Sequence, residues 1–158
     1  MLATYQYDSL GNITSKSDVG TYSYGAGTTA GPHAVTSTTL GTVITAYSYD
    51  ANGNQTGGGG RSLTYTSYNL PSKIVKGTQT VTLSYDPERT RSVQVNNTVK
   101  TTYVTPALDL AAHYEKEVEG TTTRHKHYIA AGGKAITLQT RTISSTGTTN
   151  LVHYLHRD

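Results

Sequence analysis

His125 and His127 flank Lys126 in a stretch that reads as a strand, so both imidazoles project to one face. A neighbouring strand carrying His113 or His153 could then complete a three-histidine metal site. No Asp or Glu is placed in sequence to finish such a site, and solvent-facing histidines on a polar wall account for the pattern better. His125 and His127 are the metal candidates, and no metal or cofactor is expected. Asp50-x-Asn52-x-Asn54 mimics the start of a calcium loop, but Gln55 stands at the turn glycine and Arg61 at the twelfth position. Gly133-Lys134 mimics a phosphate loop without its hydroxyl residue, since Ala135 follows. His156-Arg157-Asp158 mimics a kinase catalytic loop but has no downstream Asn. No Gly-x-Ser-x-Gly elbow is present for Ser/His/Asp hydrolysis. Asp50 and Asp86 fit turn residues better than paired catalytic carboxylates. No enzymatic activity is expected.

Composition narrows the classes further. The chain has 158 residues, enough for one domain, and no cysteine. Disulfide scaffolds, thiolate zinc sites, iron–sulfur clusters and cysteine nucleophiles are therefore excluded. It contains 30 threonines, 13 tyrosines and 16 glycines, with neither Phe nor Trp. Thr and Tyr favour pleated, half-buried strands, and Gly favours turns. A core made of tyrosine must give every hydroxyl a partner or a route to water, which points to a thin sheet with wet faces. No apolar run approaches the ~20 residues of a membrane helix. Residues 1–8 have neither the basic start nor the apolar core of a signal peptide, and they begin within a strand-like pattern, as an excised piece would. The net charge is +3, with the basic residues scattered singly. A nucleic-acid face is not expected.

Helical periodicity is almost absent. Ala107–Ala112, after Pro106, is the one candidate, and it is too short to stand alone. Two-residue alternation is widespread instead. Segments 73–76 and 80–85 flank Gly77, and segments 92–95 and 98–101 flank Asn96-Asn97. Segments 113–118 and 121–128 flank Glu119-Gly120, and segments 137–143 and 150–155 flank Ser145-Thr146-Gly147. These spacings predict four consecutive hairpins in an antiparallel meander over 61–158. Residues 1–60 read as looser and Gly-rich, with strands at 4–7, 13–16, 21–24 and 43–49. Ser62–Tyr65 follows, and Gly57–Gly60 reads as a flexible tip or bend.

A repeat runs through this pattern. Tyr7-Asp8-Ser9-Leu10-Gly11-Asn12-Ile13-Thr14 matches Tyr49-Asp50-Ala51-Asn52-Gly53-Asn54-Gln55-Thr56, and each is preceded at minus two by Tyr5 or Tyr47. Degenerate copies start at Tyr68-Asn69 and Tyr85-Asp86, and Tyr22-Ser23-Tyr24-Gly25 is a candidate worn copy. Alternate tyrosines share a face, and Asp after the strand accepts backbone N–H groups of a tight turn. Gly four residues after Tyr suits a left-handed turn position. The motif is turn chemistry plus an aromatic ladder.

The ordered set resembles the YD-repeat, or Rhs, family. The two Tyr-Asp-x-x-Gly-Asn copies carry the resemblance, together with Gly31-Pro32-His33-Ala34-Val35-Thr36. Further similarity lies in Tyr114-Glu115-Lys116-Glu117, His127-Tyr128-Ile129, Gly132-Gly133 and Tyr154-Leu155-His156-Arg157-Asp158. The resemblance implies β-hairpins laid side by side into a curved, spiralling sheet strip, here spanning residues 1–158, that forms part of a hollow shell. It implies a structural segment, just ahead of the Rhs core, of a secreted or cell-surface bacterial protein whose shell encapsulates a C-terminal toxin or effector domain. The expected structural residues are Tyr7, Asp8, Gly11, Asn12, Tyr49, Asp50, Gly53, Asn54, Tyr68, Tyr85 and Asp86. The expected partners are the rest of the shell, its cargo, and other copies meeting at sheet edges. The alternative is a surface adhesion or carbohydrate- or protein-binding repeat module that self-assembles.

Overall fold

The structure is a computed structural model that describes residues 3–25, 31–104 and 113–155. It is all-β: the described residues hold 15 strands and no helix. The helix candidate at 107–112 and the His156-Arg157-Asp158 triplet lie outside the described residues. The chain forms two compact units, Met1–Thr78 and Gln79–Asp158.

The first unit contains β1 (Tyr5–Tyr7), β2 (Ile13–Lys16), β3 (Gly20–Tyr24), β4 (Val35–Leu40), β5 (Val43–Tyr49), β6 (Gln55–Gly58), β7 (Arg61–Tyr65) and β8 (Pro71–Lys76). Each strand pairs antiparallel with its sequence neighbour. Two of these strands go beyond the sequence expectation. β4 is the Thr-rich run Val35–Leu40. β6 includes half of the glycine quartet expected to be a loose tip: Gly57 faces Ser62 and Gly58 faces Arg61, and only Gly59-Gly60 form the turn. A Cβ on Gly58 would run into the Tyr47 ring, so glycine there lets the tyrosine lie flat against the neighbouring strand.

The second unit contains β9 (Gln79–Tyr85), β10 (Arg91–Asn96), β11 (Val99–Val104), β12 (Tyr114–Glu119), β13 (Thr122–Ala131), β14 (Lys134–Ser144) and β15 (Gly147–Tyr154). These too pair antiparallel in sequence order. Three of the four hairpins expected from alternation fall within this unit and are present, with turns displaced by about one residue. Asn96 pairs with Val99, leaving Asn97-Thr98 as the turn, and Glu119 pairs with Thr122. The long β13–β14 hairpin turns at Gly132-Gly133, so no helix follows those glycines.

Neither unit has an apolar core of the usual kind. Among the described residues no hydrophobic side chain is buried; the buried side chains, Asn12, Thr38 and Thr101, are polar, and the backbone at Gly25 is buried with them. Stability therefore rests on backbone ladders and on cross-strand side-chain pairs, each contributing about 0.2–1 kcal/mol.

Candidate functional site

The motif residues build one repeated turn. Asp8 N–H donates to the Asn12 carbonyl at 2.9 Å, and Gly11 N–H donates to the Asp8 carbonyl at 3.1 Å. The Asp8 carboxylate accepts from the backbone N–H groups of Leu10 and Asn12 and from the Asn12 amide, each at 2.9 Å. Asp50–Asn54 repeats the arrangement, with Asp50 N–H to the Asn54 carbonyl at 2.9 Å and Gly53 N–H to the Asp50 carbonyl at 3.1 Å. The Asp50 carboxylate likewise accepts from Asn52 N–H, Asn54 N–H and the Asn54 amide. Gly11 and Gly53 have φ of 83° and 82°, the left-handed region that a side chain strains to enter. The Asn12 side-chain amide, then its backbone N–H, hold the Asp8 carboxyl below its ordinary value against partial burial. Asn54 does the same for Asp50. The Asp50 carboxylate is thus committed to the turn, which accounts for the calcium-like spacing. The Asn12 and Asn54 amides, each heading an Asn-x-Thr glycosylation pattern, are committed to it as well.

The third copy occupies a different frame from the expected one. Thr66 N–H donates to the Leu70 carbonyl at 2.8 Å, Asn69 N–H to the Thr66 carbonyl at 3.1 Å, and Leu70 N–H to the Thr66 hydroxyl at 3.1 Å. The repeat tyrosine is therefore Tyr65, with Thr66 in the Asp position and Asn69, at φ 63°, in the Gly position. Tyr68 sits inside the turn, three residues past the repeat tyrosine. Thr accepts from backbone N–H as Asp does, and Asn tolerates positive φ, so the frame can be recognised from those two substitutions. The fourth copy keeps the expected frame: Asp86 N–H bonds the Thr90 carbonyl at 2.9 Å, Thr90 N–H bonds the Asp86 carboxylate at 2.7 Å, and Arg89 holds φ 65°.

Each repeat tyrosine ends a strand at a bulge. Tyr7 faces Ile13, Tyr24 faces Val35, Tyr49 faces Gln55 and Tyr65 faces Pro71, each after a register shift. Tyr85 faces Arg91 in the same way. The hydroxyls then link consecutive repeats. Tyr24 Oη donates to the Ile13 carbonyl, Tyr49 Oη to the Val35 carbonyl and Tyr65 Oη to the Gln55 carbonyl, each at 2.8 Å. Every acceptor is the residue that faces the preceding repeat's tyrosine. Burial pushes the Tyr24 and Tyr49 hydroxyls above their ordinary value and keeps them protonated donors. The turns interlock in parallel. Asn12 contacts the Pro32 carbonyl at 3.4 Å and His33 Nδ1 at 2.7 Å, while Asn52 and Asn54 both donate to Asn69 Oδ1, at 3.0 and 2.9 Å.

In the second unit, His125 and His127 share a face, as expected. Tyr114, opposite His127, completes that cluster: its hydroxyl lies 2.6 Å from His125 Nδ1 and its ring centroid 4.9 Å from that of His127. His113 and His153 do not join them. His153 pairs with Leu138, which faces Tyr128, and His113 stacks on Tyr128 at 3.8 Å, so both lie on the opposite face. The register parity of β13 to β15 separates the imidazoles that a three-histidine site would need. No group of three metal-ligating side chains exists among the described residues.

The face with His113 is charged in matched pairs. Glu117 contacts Arg124 at 2.5 Å and Lys126 at 3.0 Å, and Glu119 contacts Arg124 at 3.1 Å. The hydrogen bond from Lys126, aided by Arg124 against burial, holds the Glu117 carboxyl below its ordinary value. Beside this ladder an open cleft of about 460 Å³ lies among Leu83, Tyr85, Arg91, Tyr103, His113 and Glu115. The Arg91 guanidinium covers the Tyr103 ring at 4.5 Å, and His113 Nε2 stands 3.5 Å from Glu115. Cation, imidazole and carboxylate around aromatic walls make a set suited to holding a polar ligand.

No protein-family model matches the chain, and no curated protein does.

Proposed function

We propose that this chain is a structural, non-catalytic stretch of repeat wall of the YD/Rhs kind, part of a secreted or surface-exposed bacterial shell that encloses a C-terminal toxin or effector domain. The observation that carries this reading is the tyrosine relay, in which the hydroxyls of Tyr24, Tyr49 and Tyr65 each close on the backbone of the repeat before. Such a relay ties hairpins side by side without a second layer. The polar buried positions suit a wall that is wet on both sides. The motif Asp, Gly and Asn are consumed in turn geometry and the hydroxyls of Tyr24, Tyr49 and Tyr65 in hairpin linkage, which supports an architectural role for the repeat. The partners in this reading are neighbouring shell repeats and the enclosed domain.

Limited proteolysis of the native parent polypeptide tests the proposal. The expected result is that sequence downstream of this segment resists protease while the wall is folded and becomes cleavable when the wall is unfolded. A downstream region cleaved at the same rate in both states overturns the encapsulating reading.

A further inference from the structure

The two faces of β11–β14 carry opposite arrangements of charge. Glu115, Glu117 and Glu119 occupy alternate positions of β12 and so project to one face, where Arg124 and Lys126 meet them. The other face takes the remaining positions. There the register sets Thr102, Lys116, His125, Arg141 and Asn150 directly opposite one another across five adjacent strands. Lys100 stands on the same face of β11, two residues from Thr102. No Asp or Glu of β9–β15 projects there, and among the described residues no ion pair engages Lys100, Lys116 or Arg141. Lys116 and Arg141 are exposed.

Like charges close together across a sheet cost stability, and the same strands show how readily glutamates neutralise cations when the parity allows it. Adjacent strands lie about 4.8 Å apart, so Lys116, His125 and Arg141 present a row of donors roughly 10 Å long. The Tyr114 hydroxyl and His125 Nδ1 share a hydrogen bond at 2.6 Å, and in the tautomer whose Nδ1 accepts it the ring N–H sits on Nε2. Thr102, Gln139 and Asn150 lie around the row, with groups that both donate and accept hydrogen bonds.

We propose that this face binds an acidic polysaccharide, whose carboxylate or sulfate groups lie along the Lys116–His125–Arg141 row while its hydroxyls meet the flanking Thr, Gln and Asn side chains. The exposed Lys116 and Arg141, on alternate strands of one face, suit an extended chain laid across the strands. It favours a glycan over a nucleic acid because the aromatic ring at the row, Tyr114, packs against His127 and is tied to His125, which removes the free stacking platform that single strands use. A wall segment and a free-standing module would present the same row, so binding here does not depend on the wall reading.

The test is equilibrium binding of the full chain to a heparin oligosaccharide and to polygalacturonate, with neutral dextran and mixed-sequence single-stranded DNA alongside. The expected result is saturable binding to at least one acidic glycan, weakened by salt, and none to dextran. The Lys116→Gln/Arg141→Gln double variant should lose at least 10-fold in affinity. A Lys73→Gln/Lys76→Gln variant, with the same change in net charge in the other unit, should bind as wild type. Circular dichroism of both variants separates lost binding from lost folding. Equal losses in the two variants would reduce the effect to net charge and overturn the site. Absence of binding to both acidic glycans would overturn it too, and tighter binding to the DNA would reassign the face to nucleic acid.

Discussion

Asp8 and Asp50 do their work as carboxylates. Hydrogen bonds from Asn12 and Asn54 lower both groups from the ordinary value of 3.8. A carboxyl lowered on folding contributes stability above its unfolded value, and that contribution is lost as pH falls through the folded value. Unfolding midpoints measured from pH 7 downward should therefore hold steady to about pH 4 and decline below it. Asp50→Asn should flatten the part of that decline owed to the second repeat. The glycine of the same turn answers to backbone geometry. Gly53 has φ 82°, and no atom lies within 4 Å of where a Cβ would stand, so a side chain meets strain there and no clash. Gly53→Val should cost about 1–3 kcal/mol in denaturant unfolding. An unchanged midpoint would argue against a left-handed turn at this position. These turn roles were legible in the sequence, because Asp and Gly at fixed offsets from Tyr suit little besides a tight turn. The targets of the tyrosine hydroxyls were not legible, since acceptors 10 to 14 residues away depend on how hairpins stack.

At the scale of the element, the repeat is a hairpin joined to the one before it. Tyr49→Phe keeps the ring but removes the hydroxyl bond to the Val35 carbonyl. It should cost about 0.5–1.5 kcal/mol and speed amide exchange in β4 and β5. Tyr7→Phe is the control: Tyr7 is 60% exposed, and loss of its hydroxyl should change little. Equal effects from both variants would make the hydroxyls incidental. Strand positions were readable because period-two alternation and turn residues agree along most of the chain. The exceptions have physical causes. Gly57 and Gly58 have no side chain to alternate, so β6 is silent in the pattern although its backbone is paired. The sequence points to Tyr68 for the third repeat because Asn69 resembles the motif Asp, whereas Asn69 fills the glycine position behind Tyr65. The separation of His113 and His153 from His125 and His127 follows from pairing parity, and a one-residue change of register would reverse it.

At the scale of the molecule, the described structure has wet faces and open strand edges. β1 pairs only with β2 and β15 only with β14 among the described residues, and Leu151, Val152 and Tyr154 of β15 are exposed. Unpaired edges of this kind template further strands. The isolated chain should associate as its concentration rises, and sedimentation velocity over a wide concentration range checks this. A stable monomer throughout would count against edge pairing. The all-β class and the hairpin succession were legible from composition and alternation, because Thr, Tyr and Gly admit little else at this density. The cargo and delivery of a shell leave no mark on its wall residues. The most direct measurement is the mass of the native polypeptide in its source, by immunoblot together with mass spectrometry of peptides beyond Asp158. A shell wall predicts a parent far larger than this 16.9 kDa chain, continuing into a C-terminal domain held inside the shell. A native product that ends near Asp158 would contradict it and leave a small self-assembling repeat protein in its place.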